Sequence, residues 1–111
     1  MAAAALTSAP TVQAQSYPSK PITIIVGFPP GGPTDIIARS IADSVQGERL
    51  VVMNKPGASA TMGSAEVFRA KPDGYTILLG DNISTVFQPK RMKLPYQGPQ
   101  DFQPVIKLAD I

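Results

Sequence analysis

The stretch Gly27-Phe28-Pro29-Pro30-Gly31-Gly32-Pro33-Thr34-Asp35 has the composition of a backbone anion site. Two adjacent glycines let main chain approach a guest with no Cβ in the way. If a helix begins just after them, its first N–H groups lack intrahelical partners and point back at the turn. The aligned peptide dipoles place about half a positive charge at that point. Such a pocket suits a carboxylate or a phosphate. No Gly-Lys-Ser/Thr follows Gly32, so this is not a Walker loop, and G-x-G-x-x-G is absent. Carboxylate is the better guest on this reading. The plainer alternative is a turn that uses Gly and Pro only to change direction.

The rest of the inventory narrows the chemistry. The 111 residues include no Cys and no His. Thiol nucleophiles, disulfides, imidazole bases and the commonest zinc ligands are therefore missing. The acidic residues Asp35, Asp43 and Glu66 stand apart rather than in a close catalytic pair. An enzyme is disfavoured, and no cofactor or metal is expected. Net charge is +2, and only Lys90-Arg91-Met92-Lys93 concentrates positive charge. Without interleaved aromatics this reads as a solvated loop, not a nucleic-acid surface.

Elements that would position the turn can be read on either side of it. Ile22-Thr23-Ile24-Ile25-Val26 is a β-branched apolar run, the signature of a buried strand. Ile36 to Val45 has helical spacing: Ile37, Ile41 and Val45 on one side, with Asp35, Arg39, Asp43 and Gln46 on the other. Pro33 suits a first helical turn. Asp35 and Arg39, four apart, are placed to pair at the surface. Gly47 is the natural stop.

A second strand, Leu50-Val51-Val52-Met53, leads through the Asn54-Lys55-Pro56-Gly57 turn into a weaker helix, Ala58 to Arg69. Met62, Ala65 and Phe68 can share its inner face, with Ser59 or Thr61 as cap. Gly63 costs that helix about 1 kcal/mol relative to Ala, unless it marks a close helix-to-sheet contact. The Lys71-Pro72-Asp73-Gly74 turn precedes a third strand, Tyr75 to Leu79. Gly80-Asp81-Asn82 then opens a short helix over Ile83 to Phe87, with Asn82 or Ser84 near its cap. A long loop spans Gln88 to Gln103, and Pro104 to Ala109 reads as a fourth strand.

Alternating strands and helices of this kind predict an α/β fold with a mostly parallel sheet. Ligands of open α/β sheets sit beyond the carboxyl ends of the strands. Three turns would lie at such ends: Gly31-Gly32, Pro56-Gly57 and Gly80 to Asn82.

Apolar residues make up 43 % and charged residues 16 % of the chain, ordinary for one modest globular domain. Met1 to Ser16 stands apart as an Ala/Ser/Thr-rich leader. Val12-Gln13-Ala14 suits a signal-peptide cleavage site, although no basic residue precedes it. The division expected is a leader or residual export signal over 1–16 and a folded unit over 17–111. No stretch approaches the roughly 20 apolar residues of a membrane span.

Several linked motifs carry a family resemblance. They are Tyr17-Pro18-Ser19-Lys20-Pro21-Ile22, Phe28-Pro29-Pro30-Gly31-Gly32, Thr34-Asp35-Ile36, Asn54-Lys55-Pro56-Gly57-Ala58, Pro72-Asp73-Gly74-Tyr75-Thr76-Ile77-Leu78, and Leu94-Pro95-Tyr96 with Asp101-Phe102. In this order and spacing the chain resembles the Bug family (Bordetella uptake gene type). These are extracytoplasmic solute receptors of tripartite tricarboxylate transporters. The resemblance implies a periplasmic binding protein fold of type II, with this chain supplying a partial first lobe. It implies a small carboxylate ligand, membrane transporter subunits as partners of the full-length receptor, a periplasmic location and no catalysis. Carried over by position, the ligand contacts fall on Phe28, Gly31, Gly32, Thr34 and Asp35, on Ala58 and Ser59, and on Asn82 and Ser84.

The chain departs from that pattern in four ways. Pro33 stands where the family often has Ser, Thr or Gly, and supplies neither N–H nor hydroxyl. The first helix and its exit are shorter by about one turn, some 3.6 residues. Ser59-Ala60 replaces a glycine-rich continuation. Family members are about three times as long, more than one modest domain supplies. The alternative to a receptor fragment is a truncated remnant that binds nothing. A small nucleotide-binding protein or enzyme built on the Gly31-Gly32 turn ranks below both.

Overall fold

A computed structural model describes residues 9–14, 16–45 and 49–109. Its centre is strand β1, Ile22–Val26, whose residues are nearly all buried. β-branched side chains suit a strand covered on both faces, as the middle of a parallel sheet must be. Strand β2, Leu50–Asn54, pairs parallel on one side and strand β3, Thr76–Leu79, on the other, giving the order β2-β1-β3. Val26 is level with both Asn54 and Leu79, so all three strands end on one rung.

Each connection is a helix. Helix α1, Pro33–Ser44, starts with Pro in its first turn, three residues earlier than the apolar spacing alone suggested. It lays Ala38 on Ile24 and Val26, with Phe28, Leu50, Val52 and Leu79 around them. Its inner stripe differs from the expected one. Asp35 is buried at 3 % exposure, while Ile37 and Val45 are about half exposed. The apolar periodicity of Ile37, Ile41 and Val45 lost to a polar network described below. Gly47 lies outside the described residues.

Helix α2, Thr61–Arg69, covers the opposite face. Its buried residues are small: Thr61, Gly63, Ser64 and Ala65. A Cβ on Gly63 would stand 3.1 Å from Gly27 Cα and 3.3 Å from Ile25 Cγ2. That glycine does mark a close helix-to-sheet contact. Met62, expected inside, is exposed. The helix also starts later than Ala58, because Ala58, Ser59 and Ala60 all have left-handed backbone, with φ of 48°, 54° and 67°. Neither Ser59 nor Thr61 caps it: Ala60 occupies the cap position and no side chain bonds there. The Thr61 hydroxyl donates to Ala58 O at 2.7 Å and closes the left-handed turn.

Beyond β3, Ile83–Phe87 forms one wide π-helical turn, and Gln88–Lys90 and Pro99–Asp101 form 3₁₀ turns within the expected loop. Phe68, Tyr96 and Phe102 stack with ring centroids 5.3 to 6.3 Å apart and hold this loop on α2. Upstream, Tyr17 donates to Gly74 O at 2.5 Å and Lys20 lies 4.6 Å over the Tyr75 ring. The expected fourth strand is absent. Residues 104–109 have no regular secondary structure and join no ladder, and the sheet among the described residues has three strands. Alternating apolar residues make a segment fit for a strand, but only a free edge within reach makes it one.

Candidate functional site

The common rung at which the strands end has a direct consequence. The β1–α1 turn, the β2–α2 turn and the turn after β3 all leave from one edge of the sheet, flanking the central strand.

The β1–α1 turn is built around Asp35. Its Oδ2 accepts from the Gly31 amide at 2.9 Å and from Arg39 Nε at 2.9 Å. Its Oδ1 accepts from Asn54 Nδ2 at 2.9 Å. The same Asn54 amide donates to Phe28 O at 3.1 Å, and Asn54 Oδ1 accepts from Arg39 Nη2 at 3.2 Å. The Arg39 hydrogen bond, then those of Gly31 and Asn54, hold the Asp35 carboxyl well below the usual carboxylate range. The Asp35–Arg39 pair therefore differs from the expected surface pair. Its acid is buried and accepts three hydrogen bonds, from Gly31, Arg39 and Asn54.

This arrangement closes part of the expected anion pocket with the chain's own atoms. Gly31, at φ +89°, turns its N–H to Asp35 rather than outward. Asp35 also places a negative charge at the positive end of α1. Pro33 has no N–H to offer. The N–H groups of Gly32 and Thr34 donate to no partner among the described residues. Phe28 is turned inward, against the cluster of Ile24, Val26 and Ala38.

On the neighbouring turn, Ala58 and Ser59 are exposed and their amides are open among the described residues. A non-glycine residue in this backbone region costs roughly 1–2 kcal/mol. Replacing Ser59 with Gly relieves that cost and adds back about 0.5–1 kcal/mol of chain entropy. Ser59→Gly is therefore expected to raise the melting midpoint by a few degrees at most, read by thermal denaturation.

The third turn divides its candidates. Asn82 is exposed at the edge. Ser84 is buried, with its amide donating to Asp81 Oδ1 at 2.7 Å and its carbonyl accepting from Tyr96 Oη at 2.7 Å. Asn82 holds the cap position without a side-chain bond of its own, while the Asp81 carboxylate takes the Ser84 amide. Aspartate three residues before the capped amide is the sequence signal that would have identified it.

A concavity of about 660 Å³ runs along the outer side of α2, between Met62, Glu66 and Arg69 and the Met92-Leu94-Pro95 segment. It touches the candidate edge only at Ala58 and Thr61. Its walls are mostly apolar, with Thr61, Glu66, Arg69 and Thr76 as the polar part of the lining. Among the described residues no cluster of His, Cys, Asp or Glu could hold a metal ion, and no helix is long and apolar enough to cross a membrane.

Residues 36–111 match the family model described as tripartite tricarboxylate transporter family receptor. The chain belongs to this receptor family. BugT of Bordetella pertussis is 37 % identical over 105 residues, 90 % of this chain and 32 % of that protein. A UPF0065 protein of Bordetella bronchiseptica is 38 % identical over 102 residues, 88 % of this chain and 30 % of the relative. Among solved structures, one described as a periplasmic transporter superposes with a TM-score of 0.66 at 43 % identity, covering 73 % of this chain and 29 % of the other. The periplasmic binding protein BugD gives 0.55 at 43 % identity, over 62 % and 28 %. This receptor-family chain thus spans about 30 % of the length of the relatives it matches. Its three parallel strands and their helices correspond to part of one lobe of a periplasmic binding protein.

Of the nine residues singled out in the sequence, Gly31, Gly32, Thr34 and Asp35 meet in one turn, and Ala58, Ser59 and Asn82 stand on the same edge. Asn54 and Arg39, which shape that turn, were not among them. The Asn54-Lys55-Pro56-Gly57 motif contained the clue for Asn54, a polar residue ending an apolar strand.

Proposed function

We propose that the carboxyl edge of this sheet is half of a site for a small carboxylate, the other half lying in a second lobe as in the two-lobed receptors. The observation that carries the reading is the common rung. It sets the open amides of Gly32 and Thr34 beside the exposed left-handed turn at Ala58 and Ser59 and the exposed Asn82. A carboxylate there would accept from backbone N–H groups at the start of α1. Asp35, Gly31, Phe28 and Ser84 then act by setting the shape of the turns, since their polar groups or side chains face inward.

In this reading the protein is a periplasmic binding protein and not a catalyst. Residues 1–16 are the remains of an export signal, and 17–111 a partial first lobe. The full-length receptor would hand its solute to the membrane subunits of a tripartite transporter. The names of the relatives, BugD and the TctC solute-binding protein from Polaromonas, support the solute-binding part.

Thermal denaturation with a panel of dicarboxylates, tricarboxylates and acidic amino acids tests it. A ligand at 100 times its dissociation constant adds about 2.7 kcal/mol to the native state. A midpoint rise of several degrees with one class of acid, and none with matched neutral amides, is the expected result. No shift for any acid up to millimolar concentration would leave the second reading, a fragment that folds without binding. That reading draws on the exposed side chains of Val105 and Ile106.

A further inference from the structure

Arg39 joins the opening of α1 to the end of β2. Its Nε donates to Asp35 Oδ2 at 2.9 Å and its Nη2 to Asn54 Oδ1 at 3.2 Å. Its side chain is half exposed, while that of Asp35 is buried. One planar guanidinium thus spans the first turn of α1 and the last residue of β2. Asn54 completes the ring by donating to Asp35 Oδ1 and to Phe28 O.

Hydrogen bonding alone does not account for an arginine here. Asp35 already accepts from Gly31 and Asn54. Both of those donors are neutral, so neither cancels its charge. The carboxylate lies in the first turn of α1, just after the Gly32 cap. It offsets the positive end of the helix dipole that a guest anion would use. Gly32 and Thr34 lie within one helical turn of Asp35, so an anion accepting from their N–H groups would meet that charge at short range.

The other charges along this edge do not relieve it. Asp81, in the third turn, takes the Ser84 amide and has no cationic partner among the described residues. Lys55, just after β2, is matched by Glu66 at 3.6 Å. Asp43, one turn beyond Arg39 on α1, is close enough to act on the guanidinium and adds a further negative charge. Without Arg39 the first turn would repel an anion.

We propose that Arg39 is a positioning residue for the carboxylate site: its charge cancels that of Asp35 at the opening of α1 and its fork holds Asn54, so that an anion can approach the Gly32 and Thr34 N–H groups. This role rests on the carboxylate reading of the edge. Removing it should cause a loss that grows with the charge of the guest. Losing a merely structural arginine would weaken every guest alike.

Titrating the 15N-labelled chain with succinate, its monoamide succinamate and its diamide succinamide tests this, with the backbone signals of Gly32 and Thr34 as the readout. The three probes share one carbon skeleton and differ in charge at neutral pH, from dianion to monoanion to neutral. The parent should bind succinate and succinamate and ignore succinamide. Arg39→Gln should lower succinate affinity about tenfold and succinamate affinity about threefold, since Coulomb energy scales with charge. Arg39→Lys keeps the charge and loses the fork, and should hold succinate affinity within about threefold of the parent. Asp43 is exposed, so its replacement does not put folding at stake. Asp43→Asn should raise succinate affinity about twofold. The proposal is overturned if Arg39→Gln weakens both acids by the same factor or weakens neither. It is equally overturned if Arg39→Lys falls as far as Arg39→Gln, or if Asp43→Asn leaves succinate affinity unchanged. A parent chain whose Gly32 and Thr34 signals respond to no acid overturns the carboxylate site itself, and the role of Arg39 with it.

Discussion

Gly27→Ala is expected to lower the melting midpoint of this chain by more than about 10 °C, taking ~4–8 °C per kcal/mol for a domain of this size. The added Cβ would stand 2.6 Å from Ala60 Cβ, 2.8 Å from Ala60 O and 3.0 Å from Ala60 Cα. Two of those three atoms are backbone and cannot rotate away. Ala60 is itself buried and held at φ 67°, and Gly63 of α2 presses on Gly27 from the same side. Relief therefore requires α2 to lift from the sheet. Overpacking a tight contact costs about 1–3 kcal/mol and more where backbone must move. Ala60→Gly in the same chain removes the closest clash and the left-handed cost together, but leaves the carbonyl. It should recover part of the lost midpoint, not all of it. A Gly27→Ala midpoint within 3 °C of the parent would show that α2 is not seated on β1 as described.

The second large effect belongs to Asp35. Asn at this position keeps the shape but turns an acceptor of three N–H groups into a mixed donor and acceptor. An NH₂ group would then face the Gly31 amide and Arg39, or else Asn54 Nδ2. Removing one partner of a buried charged network is among the few single changes that destabilise strongly. Asp35→Asn should lower the midpoint by about 10 °C or more.

It should also change the pH profile. The folded pKa of Asp35 is depressed relative to its unfolded value, so the unfolded chain takes up the proton first. Its stabilisation is complete above the unfolded carboxyl value near 4 and is lost as pH falls from there toward the lower folded value. Denaturation midpoints from pH 7 down to pH 2 should thus fall more steeply for the parent than for Asp35→Asn. Parallel profiles would mean that the carboxylate is not held as described.

The β1–α1–β2–α2–β3 order was legible because its signals are local. Ile22 to Val26 is apolar and β-branched, Pro33 fixes a first helical turn, and Pro72-Asp73-Gly74 is turn chemistry. What escaped depends on partners far along the chain. Asp35 reads as an exposed helical acid until Asn54, 19 positions on, is placed beside it. Three successive left-handed residues at Ala58, Ser59 and Ala60 carry no compositional mark, since neither Ala nor Ser favours that backbone. Residues 104–109 have strand periodicity, but periodicity names a candidate and not its neighbour. At the site, the glycine turn was legible and the donors left open in it were not. Which amides remain free depends on where Asp35 points.

A parallel sheet with its first strand in the middle also imposes an order on synthesis. Ile24 pairs with Val52 on one side and with Ile77 on the other, the latter roughly half the chain length away. The opening βαβ unit can assemble once β2 has left the ribosome, but it then exposes the entire β3-facing edge of β1. That edge waits uncovered until Leu79 emerges. The nascent chain is most open to mispairing during this interval, and a chaperone that shields strand edges would have most to do there.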